Sequence, residues 1–168
     1  NPINLVIENL ENIFCKNEKN GSFQISVAGG VAPYSYFINK ELSVSNSGNI
    51  SDNTDLFNTN NLKAGIYEIS VVDSKNCSKK IQVLLSEPQT NVNIKNEIIN
   101  HVSKYNSDDG SIDFDIVGGT LKDNDSYDVQ WTGPNNFSSN KKNISNLKAG
   151  GYFLKVTDSN NCIFEKEF

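Results

Sequence analysis

The feature that most constrains this chain is that much of its sequence occurs twice. Asn61-Leu62-Lys63-Ala64-Gly65-Ile66-Tyr67 returns as Asn146-Leu147-Lys148-Ala149-Gly150-Gly151-Tyr152, 85 positions further on. Asp73-Ser74-Lys75-Asn76-Cys77 returns as Asp158-Ser159-Asn160-Asn161-Cys162 at the same offset. Upstream, Gly21-Ser22 and Gly29-Gly30 return as Gly110-Ser111 and Gly118-Gly119, 89 positions on. The difference of four residues must be absorbed between these blocks. A period near 85 in a chain of 168 residues implies two small domains rather than one large one. The seam falls after Ser86-Glu87-Pro88, which predicts domains at 1–88 and 89–168 with a short linker near Glu87–Asn91.

Within each copy the hydrophobic period is two. Phe23, Ile25 and Val27 alternate with Ser22, Gln24 and Ser26, and Ile112, Phe114 and Ile116 alternate with Asp113 and Asp115. Tyr67-Ile69-Val71, Tyr152-Leu154-Val156 and Ile81-Val83-Leu85 follow the same rule. Alternation of this kind marks strands with one face in a core and one in water. Turn residues separate the runs, and no stretch carries a helical stripe. A tyrosine opening a strand just after a turn glycine, as at Tyr67 and Tyr152, has the composition of a tyrosine corner, and Trp131 falls in phase with Tyr127 and Val129 as a core tryptophan. The expected fold is all-β: two tandem immunoglobulin-like β-sandwich domains.

Charge and composition narrow the chemistry. The net charge is −5, and every one of the fifteen basic residues is lysine. Such a chain offers no basic face to a nucleic acid and none of the planar guanidinium forks that grip phosphate. No apolar run is long enough to span a bilayer. The absence of methionine, even at position 1, reads as a piece of something longer. There is one histidine, His101, with no serine or cysteine motif to complete a nucleophile–base pair. No enzymatic activity and no required cofactor are expected.

With these blocks laid out, a family resemblance emerges. Val27-Ala28-Gly29-Gly30-Val31-Ala32-Pro33-Tyr34-Ser35-Tyr36, then Asn61 to Tyr67, Val71 to Cys77 and Ser86-Glu87-Pro88, together resemble the SprB repeat. The second copy resembles it through Gly118-Gly119, Trp131-Thr132-Gly133-Pro134 and Asn146 to Cys162. The resemblance implies a PKD-like module strung in tandem through large surface adhesins of the Bacteroidetes. Such proteins are exported by type IX secretion and in some cases serve gliding motility. It implies an extracellular, cell-surface location and neighbouring repeats of the same chain as partners. A surface polysaccharide is a further candidate ligand. A monomer is expected.

The family usually places one cysteine before the first Gly-rich strand and one after the Asp turn. Three cysteines allow three single pairings, and this placement selects Cys15–Cys77 as the disulfide, leaving Cys162 as a free thiol. Lys104 stands where the second copy would need a counterpart of Cys15, and the second copy ends at the counterpart of Val83, short of a closing Glu-Pro. Asp123, Asp125 and Asp128 are the candidate calcium ligands, in an acidic loop. Asp73 and Asp158 read as turn caps. The alternative to a stalk or adhesive role is a glycan-binding accessory module of a secreted enzyme, for which Tyr34 and Phe137 are the candidate contacts.

Overall fold

The computed structural model of the protein describes residues 1–40, 43–51, 56–121 and 126–168. The chain divides into two compact units, Asn1–Glu87 and Pro88–Phe168. Both are all-β; the one helical element among the described residues is a single 3-10 turn at Pro134–Asn136.

Among the described residues the first unit has seven strands: β1 (Asn4–Glu11), β2 (Gly21–Ala28), β3 (Tyr34–Lys40), β4 (Ser43–Ile50), β5 (Leu56–Leu62), β6 (Gly65–Asp73) and β7 (Ser78–Leu85). They form one sheet in the order β1-β2-β5 and another in the order β4-β3-β6-β7, with every pairing antiparallel. The period of two decides which side chains meet. Phe23, Ile25 and Val27 of β2 are buried, as are Tyr67, Ile69 and Val71 of β6 and Val83 and Leu85 of β7. Together with Tyr34 and Ile38 of β3 they form one continuous core. Each large apolar side chain fully withdrawn from water contributes about 1.5–3 kcal/mol, which is what commits each strand to its facing. Two antiparallel sheets closing over one core make a β-sandwich of the immunoglobulin type.

The second unit repeats the plan with β8 (Asn93–Asn100), β9 (Gly110–Val117), β10 (Asp128–Gly133), β11 (Phe137–Ser139), β12 (Ile144–Leu147), β13 (Phe153–Thr157) and β14 (Ile163–Glu167). Its sheets run β12-β9-β8 and β11-β10-β13-β14. Trp131 is 1% exposed and packs on Phe114 and Phe168, and its indole N–H donates to the carbonyls of Lys141 and Lys142 at 3.1 and 3.3 Å. A buried indole needs such an acceptor, because an unpaired N–H away from water is costly.

Strand register resolves the four-residue mismatch between the copies. Ile38 lies opposite Ile69 in the first unit, and Trp131 lies opposite Leu154 in the second. Trp131 is therefore the counterpart of Ile38, and the offset on this strand is 93. The loop after the glycine pair is longer in the second unit, and the stretch before Asn146-Leu147 is shorter. The eight-residue β4 is replaced there by the three-residue β11, reached through the Pro134–Asn136 turn.

Candidate functional site

The duplicated sequence blocks come together at two ends of each sandwich. At one end a glycine pair faces an aspartate turn. Gly29 and Gly30 both have positive φ (72° and 67°), and so do Gly118 and Gly119 (74° and 68°). A Cβ at Gly29 would lie 2.1 Å from the carbonyl oxygen of Pro2, and at Gly118 2.1 Å from that of Asn91, so no other residue fits. The turn thus formed delivers backbone N–H groups to a buried carboxylate. Asp73 Oδ2 accepts from Val31 N–H at 3.1 Å, while Oδ1 accepts from Lys75 and Cys77 at 2.9 and 2.8 Å. Asp158 does the same with Thr120 at 2.8 Å, Asn160 at 2.8 Å and Cys162 at 2.9 Å.

This clamp is a structural device. Both aspartates are 5% exposed, and their oxygens are directed at the backbone of their own unit. Burial alone would raise the Asp73 carboxyl; the N–H groups of Cys77, Lys75 and Val31 outweigh it and hold the group below its ordinary value. Tyr34 and Tyr127 close the same end, donating their hydroxyls to the carbonyls of Gly29 and Gly118 at 2.6 and 2.8 Å. At the opposite end, Tyr67 O–H donates to Lys63 O at 2.8 Å and Tyr152 O–H to Lys148 O at 3.1 Å. These are corner bonds four residues back along the chain.

The cysteines depart from the expected pairing. Cys77 is exposed and carries a free thiol, whereas Cys15 and Cys162 are disulfide-bonded. The expectations of a Cys15–Cys77 bond and of a free Cys162 are both overturned, and strand directions explain the first. β2 and β6 both start at the Leu85 end of the sandwich: Gly21 sits against Leu85, and Gly65 pairs with it. Cys15 precedes β2, near the bond from Ile13 N–H to Ser86 O (2.9 Å) and the one from Asn17 N–H to Glu87 Oε2 (2.7 Å). Cys77 follows β6, beyond Asp73. The nine residues of β6 separate them by about 26 Å at roughly 3.3 Å per residue. A disulfide needs Cα atoms within about 7 Å.

The other candidate residues scatter. Asp123 and Asp125 lie outside the described residues; Asp128 is exposed and accepts from Gln130 Nε2 at 2.9 Å. Among the described residues no group of three or more His, Cys, Asp or Glu side chains could hold a metal ion. Tyr34, a candidate glycan contact, is 1% exposed, so it has no face to offer a sugar; its phase on β3 carries it into the core with Ile38. Phe137 is half-buried, edge-on to Tyr152 with ring centroids 5.3 Å apart. His101 is exposed.

A role for asparagine went unread in the sequence. Every non-glycine residue with positive φ among those described is an asparagine, including the counterparts Asn61 and Asn146, Asn76 and Asn161, and Asn17 and Asn106. Asparagine tolerates the left-handed region better than most side chains. The signal was present in the paired positions themselves, at fixed places in the duplicated turns.

Comparison with known proteins adds one observation, which covers the first unit from within β1, across β2 and the glycine pair, to the end of β3. Residues 7–40 match the SprB repeat. The resemblance carried by Val27 to Tyr36 is thereby borne out. The SprB match takes in Cys15, the glycine pair and Tyr34, which are three of the elements that build the ends of the sandwich. No curated protein sequence matches the chain. Among solved structures it is similar to Tp47, the 47-kilodalton lipoprotein of Treponema pallidum, at 8% identity and a TM-score of 0.28. That alignment covers 97% of this chain and 50% of the lipoprotein, so the chain spans half its length, and the score is too low to bear on fold or function. Among the described residues no helix is long and apolar enough to cross a membrane.

Proposed function

We propose that this chain is a non-catalytic repeat segment of a large Bacteroidetes cell-surface adhesin, serving as stalk, as adhesive module, or as both. The reading is supported above all by the SprB match over residues 7–40, together with the recurrence of the first unit's aspartate clamp, bond for bond, in the second unit. A buried carboxylate fixed by three N–H groups and a corner tyrosine fixed by a carbonyl tie loop to strand at both ends of a sandwich. That is a construction suited to a bead that must hold its shape outside a cell. Type IX export and participation in gliding follow from the family resemblance and belong to the same proposal.

The glycan-binding alternative loses its first candidate, because Tyr34 is in the core. Two measurements separate the readings. Antibodies raised against the folded chain should label intact producing cells without permeabilisation; labelling only after lysis would refute a surface role. On a polysaccharide array the stalk reading predicts no saturable binding, whereas saturable binding abolished by Phe137→Ala would favour the accessory-module reading.

A further inference from the structure

The two units carry a chemically labile pair of residues at the same place. Asn20-Gly21 is the single Asn-Gly pair of the chain and Asp109-Gly110 its single Asp-Gly pair, and they are counterparts at the offset of 89. Each member answers a structural demand. Asn20 Oδ1 accepts Phe14 N–H at 3.2 Å, and Asp109 Oδ1 accepts the N–H of Ser103, the counterpart of Phe14, at 2.9 Å. The two glycines open β2 and β9 and are buried. A Cβ at Gly21 would lie 2.7 Å from Ile13 Cδ1 and 3.0 Å from Leu85 Cδ1, and one at Gly110 would lie 3.1 Å from Leu147 O. The fold thus asks for a side-chain carbonyl at one position and for no side chain at the next.

Those demands set an electrophile beside a backbone nitrogen that no Cβ hinders. Phe14 N–H points at Asn20 Oδ1, the atom on which negative charge gathers when Cγ is attacked, and a donor placed there lowers the barrier. Glu18 Oε2 accepts from Asn20 Nδ2 at 2.6 Å and fixes which way the amide is turned. We propose that Asn20 is a self-modification site, converted from amide to carboxylate through a succinimide formed with Gly21, and that the aspartate product keeps the bond from Phe14 N–H. Hydroxide removes the Gly21 N–H proton, the nitrogen bonds to Asn20 Cγ, and the Cγ–Nδ2 bond breaks, Nδ2 leaving as ammonia with a proton from water. Water then opens the ring: cleavage at Cγ gives aspartate, and cleavage at the main-chain carbonyl of residue 20 gives isoaspartate. The balance is a water consumed and an ammonia released. The second unit displays the aspartate form at the corresponding place, with the backbone bond made. Ser107 stands there where the first unit has Glu18, so in the first unit the new carboxylate would face Glu18 and release it.

The test incubates the folded full chain in warm, mildly alkaline buffer, with a urea-unfolded sample alongside, and maps amide-to-acid conversion residue by residue by mass spectrometry. In the folded chain Asn20 should convert at least about tenfold faster than Asn106, which precedes Ser107 rather than a glycine, a ratio equal to about 1.4 kcal/mol of barrier. The variant Asn20→Asp, made directly, should keep the Phe14 amide protected from hydrogen exchange. Conversion at Asn20 that proceeds only in urea, or no faster than at Asn106, would overturn the proposal. So would loss of Phe14 protection in Asn20→Asp.

Discussion

Replacing Tyr152 by phenylalanine removes one oxygen and little else, which makes it a clean probe of the corner. Tyr152 is 5% exposed, and its hydroxyl reaches Lys148 O at 3.1 Å, while its ring packs edge-on against Phe137. The ring stays in place in the variant; the Lys148 carbonyl loses its donor. The net loss for such a bond is about 1 kcal/mol, and at domain sizes near eighty residues that corresponds to a midpoint lowered by roughly 4–8 °C. Trp131 fluorescence follows the second unit during heating or urea titration. Tyr67→Phe removes the same bond from the first unit, which has its own core and no tryptophan. It should leave the Trp131 transition where it is while weakening amide protection in β6. The reasoning fails if Tyr152→Phe leaves the Trp131 midpoint unmoved. It fails equally if Tyr67→Phe shifts that midpoint as far as Tyr152→Phe does, because the two cores would then not be separately closed.

Three further outcomes are expected. Gly118→Ala, at φ 74° with its new Cβ against Asn91 O, should destabilise the second unit by at least about 2 kcal/mol, read as a shifted urea midpoint of Trp131 fluorescence. A chromogenic thiol reagent should titrate one thiol per native chain and three after denaturation with reductant, and Cys77→Ser should abolish the native signal. Because Asp73 is held below its ordinary value in the fold, its contribution is present above the unfolded carboxylate range and is lost as pH falls through the lower folded value. Hydrogen exchange at the Val31, Lys75 and Cys77 amides should therefore lose protection on acidification, and Asp73→Asn should flatten that dependence.

Much of this architecture was legible before any coordinates, for a physical reason. Alternation along Phe23-Ile25-Val27 and Tyr67-Ile69-Val71 reports the facing of a strand directly, because side chains on a pleated strand have only two directions to point. Duplication then exposed Asp73 and Asp158 as turn caps, since two turns with the same chemistry had to serve the same backbone. The disulfide was not legible. Pairing depends on which ends of β2 and β6 coincide, and that is a property of topology rather than of local pattern. Tyr34 illustrates a different gap. Its phase with Ile38 pointed inward, yet an aromatic near a loop also suits a sugar platform. Only the hydroxyl bond to Gly29 O and the closed core around the ring decide between them. The calcium candidates Asp123 and Asp125 fall outside the described residues, and Asp128 by itself assembles nothing.

The aspartate clamp has a consequence for how such modules tolerate oxidation. Cys77 keeps its thiol and Cys162 does not, yet each donates its own N–H to the carboxylate at nearly the same distance, 2.8 against 2.9 Å. The hairpin backbone therefore makes the same bond whether its sulfur is a thiol or is oxidised, because the carboxylate holds it. A reductant would change the sulfur and leave the hairpin standing.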